Sequence, residues 1–107
     1  MGDYKLNKVY KTMRDTREQM CSGCGSFSHP LSHSHIISRA KRKDLTHDIN
    51  NITYHCLSMG GRLGCHDIWE HGTLEEKEML MDYDQNMEYI KRVDLKIYHQ
   101  LMMRRYK

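Results

Sequence analysis

The residues able to do chemistry are concentrated in one stretch of this 107-residue chain. All four cysteines, and every histidine except His99, lie between Cys21 and His71. Cys21 and Cys24 form a C-x-x-C knuckle followed by Gly25. That spacing lets two thiolates turn toward one ion at about 2.3 Å each. Cys56 and Cys65 offer a second pair across a loop that contains Gly60, Gly61 and Gly64. Four cysteines in a short chain mean two disulfides or one metal site. The opening MGDYKLNKVYKTMRD has no apolar signal segment, so a cytoplasmic setting is expected, where disulfides are rare. The reading is therefore a structural Zn²⁺ site on Cys21, Cys24, Cys56 and Cys65. The alternative leaves Cys56 and Cys65 as small buried residues and Cys21 and Cys24 as surface thiols. The imidazoles of the same stretch can serve as bases near neutral pH or as metal ligands.

Those side chains need a scaffold, and the composition makes a staple useful. Only 38% of residues are hydrophobic, a thin core for a chain of this length. Seventeen Lys+Arg against 14 Asp+Glu leave a net charge of +3, too little by itself to force a nucleic-acid reading. No apolar run approaches the roughly 20 residues of a membrane helix.

Residues 1–20 carry five Lys+Arg against three acids, with Val9, Met13 and Met20 at loosely helical spacing. They read as a basic helical segment ending before Cys21. Residues 31–37 alternate and then turn apolar, which suits a strand entered at His29-Pro30. Residues 51–56 are β-branched and aromatic, a second strand. Residues 65–71 contain no breaker and meet Gly72, which predicts a short helix carrying Trp69 into the core. Thr73-Leu-Glu-Glu76 is a capping-box start, and apolar residues from Met79 to Leu101 recur every three or four positions. Asp84 and Asp94 can act as internal N-caps, so residues 73–107 read as one rod or as two or three consecutive amphipathic helices packing on the core. The fold class is α+β in three parts, 1–20, 21–72 and 73–107.

Four pieces follow one another in residues 20–72: Cys21-x-x-Cys24-Gly25, Ser34-His35-Ile36-Ile37, Asn50-Asn51-Ile52 leading to Cys56, and Cys65-His66. In this order and spacing the segment resembles the HNH endonucleases, the His-Me finger nucleases with a ββα-metal core. The resemblance implies a metal-dependent endonuclease that hydrolyses DNA phosphodiester bonds, by nicking or by double-strand cleavage. It implies His35 as the general base that activates water, Asn51 as the residue that orients this histidine or assists the metal, and His66 as ligand of a single divalent ion. That ion stabilises charge on the phosphate and on the leaving 3′ oxygen.

One departure stands out. Many members place Asp immediately before the base, where this chain has Ser34. Glu70, on the same helix face as His66, and the adjacent His71 are favoured over His33 as the missing ligand. The ion is then Mg²⁺ or Mn²⁺, with other divalent transition metals acceptable to imidazole ligands. Arg39, Lys41, Arg42 and Lys43, just after the base, would hold the backbone of double-stranded DNA. One catalytic histidine implies one strand cut per protomer, so a double-strand break needs a homodimer or a second event. Small stand-alone members are frequent in bacteriophages, which implies a larger DNA-processing complex in a bacterial host.

The competing reading is a catalytically inactive, zinc-stabilised module that binds DNA or docks on a partner. In its blandest form His35 is a half-buried strand histidine and Asn51 a turn residue. His66, Glu70 and His71 are then polar groups of a short helix, and the basic run is a solvated loop.

Overall fold

The β-branched segment predicted at residues 51–56 pairs with the alternating segment before it. In the computed structural model, which describes residues 3–103, β1 (Leu31–His35) and β2 (Ile52–Cys56) run antiparallel. Leu31 lies opposite Cys56, and His35 lies opposite Ile52. Alternation along the strands gives the sheet two faces. Ile52, Tyr54 and His33 meet the first helix, while Ser34 and His55 meet each other on the opposite face. The first strand is shorter than expected. Ile36 and Ile37 leave the ladder after His35 and turn into the core, where both are buried.

The basic N-terminal segment forms α1 (Tyr4–Thr16), started by the Asp3 carboxylate, which accepts from the Leu6 N–H at 3.1 Å. Leu6, Val9, Tyr10 and Met13 share its inward face and pack on Ile52 and Tyr54. Met13 and Ile52 are essentially inaccessible to solvent, and each such side chain contributes about 1.5–3 kcal/mol. Arg17, just past the helix end, donates to the Ile52 and Ile49 carbonyls at 2.6 and 3.0 Å. Those bonds anchor α1 to the entry of β2.

The opposite layer is helical, and α2 spans Cys65–His71 as its uninterrupted sequence predicts. The capping box on Thr73 is present and opens α3 (Leu74–Glu78). The continuous rod is not formed. Leu80 turns inward to become buried, and the Met81 N–H bonds to the Gly23 carbonyl at 2.8 Å. That bond breaks the helical line in order to dock it on the C-x-x-C knuckle. The chain resumes as α4 (Tyr83–Val93) and α5 (Leu95–Met103). Asp94 accepts from the Ile97 N–H at 3.0 Å as an internal cap. Asp84 sits inside the first turn of α4, and Asp82 holds the cap position.

Trp69 packs with Leu80, Met87 and Ile90 between α2 and α4, and its indole N–H bonds the Ile36 carbonyl at 3.0 Å. Residues 104–107 of the expected C-terminal extension lie outside the described residues. Among the described residues no helix is long and apolar enough to cross a membrane.

Candidate functional site

The four cysteines converge although 44 positions separate the first from the last. Their Sγ atoms all lie within 4.8 Å of one another, and those of Cys24 and Cys56 are 3.8 Å apart. Four sulfurs about 2.3 Å from a tetrahedral ion are about 3.8 Å apart, so the cluster can hold a metal ion such as zinc. The surrounding backbone is shaped for it. Gly25 has φ +77° and turns its N–H back to the Cys21 carbonyl at 2.8 Å, closing the knuckle. A Cβ on Gly23 would lie 2.8 Å from both Cβ and Sγ of Cys65. A Cβ on Gly64 would strike the backbone of Cys56, Leu57 and Ser58 within 2.5 Å.

Backbone N–H groups and one guanidinium face the sulfurs. The Cys56 N–H points to Cys21 Sγ at 3.2 Å, the Cys65 N–H to Cys56 Sγ at 3.4 Å, and Arg62 to Cys56 Sγ at 3.4 Å. Burial opposes the Cys56 thiolate, yet the Cys65 N–H and Arg62 outweigh it and bring the thiol down to about 6. Burial pushes the Cys21 and Cys65 thiols up.

His35 ends β1 and is half-buried. Its Nε2 lies 3.0 Å from the Thr46 carbonyl. A carbonyl only accepts, so the ring proton is on Nε2 and Nδ1 keeps its lone pair. Burial, with the nearby Arg39 charge, lowers the imidazole below its ordinary pKa despite the Thr46 bond. The ring is therefore neutral near pH 7 and available as a base.

Asn51 does not reach this imidazole. It is fully buried, accepting from the Ile37 N–H at 2.8 Å and donating to the Ile37 and Leu45 carbonyls at 3.0 and 3.2 Å. Its own carbonyl takes the Ile36 N–H at 2.7 Å. These bonds hold the loop that follows His35.

On α2, Glu70 stands between two imidazoles. Its Oε2 is 3.7 Å from His66 Nε2 and 3.5 Å from His71 Nε2. The buried Nδ1 of His66 has no hydrogen-bond partner. Among the described residues the four cysteines are the set of three or more donors that closes on one point, so His66, Glu70 and His71 do not converge as a triple. One carboxylate with one imidazole, the remaining positions taken by water, still suits a hard divalent ion. Glu70 and His71 open into a pocket of about 390 Å³ that His35 also lines.

Of the basic run, Lys41 lies on the rim of that pocket, and Arg39 and Lys43 are exposed. Arg42 departs from expectation. It pairs with Asp44 at 2.6 Å and Asp94 at 2.7 Å, bracing the loop against the α4–α5 junction.

No family model, no curated protein and no solved structure matches this chain.

Ser34 belongs to a buried polar chain, and the sequence assigns no role to its other members, His55, Asp82 and Asn86. His55 Nδ1 lies 3.0 Å from Ser34 Oγ, and His55 Nε2 lies 2.8 Å from Asp82 Oδ2, which also accepts from Asn86 at 3.0 Å. The order Ser, His, Asp is that of a hydrolase triad. Ser34 and His55 are wholly inaccessible to solvent, so no substrate reaches them. Their work is to tie both strands to α4. This also accounts for Ser34, which faces inward and away from the pocket. The i, i+4 pair Asp82 and Asn86 was a visible signal, but nothing local linked it to His55. His33 stacks on Tyr10 at 3.7 Å, and His47 pairs with Asp3 at 2.7 Å. Both hold α1 in place.

Proposed function

We propose that this protein is a metal-dependent DNA endonuclease of the HNH type, its β1, β2 and α2 forming a ββα-metal core stapled by zinc. The observation that carries the reading is His35, its Nε2 held 3.0 Å from the Thr46 carbonyl, in the same pocket as Glu70 and His71. His35 takes a proton from water attacking the phosphorus, and the carbonyl keeps the ring from rotating as it becomes cationic. Asn51 holds the loop behind it. Arg39, Lys41 and Lys43 bind the DNA backbone without reading sequence. Glu70, with His66 or His71, would hold the catalytic Mg²⁺ or Mn²⁺, which would supply positive charge to stabilise the phosphate and the leaving 3′ oxygen.

Supercoiled plasmid incubated with the protein and Mg²⁺ or Mn²⁺ tests this. Removal of a general base costs about 10²–10⁴-fold, so His35→Ala should lose nicking to that extent. Equal activity in the two proteins, or none in either, sinks the assignment. The second reading, a non-catalytic zinc-stabilised DNA-binding module, is favoured by Ser34, which is bonded inward to His55 and leaves the ion without the usual neighbouring carboxylate. It predicts salt-sensitive DNA binding with no cleavage under any divalent ion.

A further inference from the structure

The pocket beside His35 continues well past the groups that would handle a phosphate. Its rim is polar, with His35, Lys41, Glu70 and His71. Its depth is apolar, with Ile37 and Trp69 on the core side and Ile90, Ile97 and Leu101 on the wall made by α4 and α5. A phosphodiester backbone, which stays hydrated, has no use for that depth. A volume of about 390 Å³ sits at the low end of small-molecule sites, roughly 300–1,000 Å³. It accommodates one nucleoside and excludes a duplex.

We propose that this pocket receives a single nucleobase drawn out of the stack, so that the preferred substrate is DNA with an unpaired nucleotide at the cut: a bulge, a mismatch or a single strand. The inference rests on the endonuclease reading and names its substrate class. The rim and depth together fit an amphiphile, anionic at one end and flat and apolar at the other. Lys41 offers positive charge to the phosphate, and the exposed His71 ring offers an N–H donor. The Trp69 and Tyr83 rings, 6.4 Å apart and close to perpendicular at 69°, shape the adjoining wall. A neutral hydrocarbon chain would use the apolar depth but leave the rim idle. The floor is made of hydrocarbon side chains, so it receives a base by its face and by exclusion of water, without reading which base it is. Extrusion is least costly where the base is already unpaired. The far wall comes from α4 and α5, which lie outside the stapled core, so the C-terminal helices decide which DNA the core can use.

Equilibrium binding of the full chain, with its zinc retained and with Ca²⁺ in place of Mg²⁺ or Mn²⁺, tests the proposal on two oligonucleotides. One is a fully paired duplex and the other carries a single-nucleotide bulge. The bulged DNA should bind at least tenfold more tightly. Leu101→Trp and Ile97→Trp each fill the pocket and should bring the two affinities within twofold while leaving paired-duplex affinity unchanged. Far-ultraviolet circular dichroism and zinc content verify that both variants fold. Equal affinities in the parent protein, a preference that survives in both filled variants, or an apolar fluorescent dye in the pocket that bulged DNA does not displace would each overturn it. A protein that prefers the bulge yet cuts nothing refutes the nuclease reading and keeps the pocket. Equal cutting of both substrates refutes the pocket and keeps the nuclease.

Discussion

Two clusters of metal ligands, one of soft thiolates and one of borderline imidazoles with a hard carboxylate, lie a few residues apart in sequence and behave differently in space. The four thiols close on a single point, fenced by backbone and by Gly23 and Gly64, where no side chain fits. The imidazoles and the carboxylate of His35, Glu70 and His71 ring an open pocket, with His66 just outside it. The first arrangement leaves no position for a substrate, and its chemistry is spent on holding the chain. The second leaves valences and space unfilled. A structural site is recognised by closure, a reactive one by what remains open.

Metal removal should break the comparison most severely. A structural zinc contributes about 10–16 kcal/mol in small domains, as much as a whole fold of this size retains. Cys65→Ser should therefore lose the one equivalent of zinc and the cooperative thermal transition. Gly23→Ala, which crowds Cys65 Sγ, should weaken zinc retention in the same assay. Zinc-free protein that still melts cooperatively at the parent temperature would show that the sulfurs are not a staple.

His35→Ala should do the reverse, losing about 10²–10⁴-fold in nicking with zinc content and melting temperature close to the parent's. Asn51→Ala lies between the two. It strips partners from the Ile37 N–H and two carbonyls, so about 2–4 kcal/mol of stability should go, and activity should fall because the loop behind His35 loosens. Loss of activity without loss of stability would place Asn51 in contact with substrate instead.

The pH profile sharpens the open cluster. Burial lowers the His35 pKa, so the base is deprotonated earlier on the way up in pH than an ordinary histidine at about 6.5. The acid limb of kcat/KM should thus have its midpoint below 6.5 and be absent in His35→Ala. A midpoint above 6.5 would mean that protonation is favoured at the site.

The smallest effects separate the cations. Lys41→Ala or Lys43→Ala should each reduce the slope of log affinity against log salt by about 1. Arg42→Ala should leave that slope unchanged and slightly lower the melting temperature, because its charge is already paired with Asp44 and Asp94.

The contrast also explains what could be read in advance. Cysteine spacing, the bounds of α2 and the Thr73 cap are local facts, written in neighbouring residues. The strand and helix that carry His35, Glu70 and His71 were legible, but no local spacing shows that the three line one pocket. The partners of Asn51 and Arg42, namely Ile37, Leu45 and Asp94, could not be read because they are fixed by tertiary structure and not by spacing. His55 was opaque for the same reason. Its carboxylate partner Asp82 is 27 residues away and sits at a helix break that the apolar periodicity conceals.

The loop between Cys56 and Cys65 has a practical consequence for engineering. Its eight residues are pinned at both ends, by the sulfurs and by the Gly64 N–H bonded to Ser58 Oγ at 2.8 Å. At its tip Gly60 and Gly61 have positive φ and nothing within 4 Å of where a side chain would start. Because the ends are fixed independently of the span, doubling the loop costs only about 0.6 kcal/mol in closure entropy. The tip is therefore a natural port for an epitope or a fluorophore, and its tolerance of length explains why the second cysteine pair need not follow the short spacing of the first.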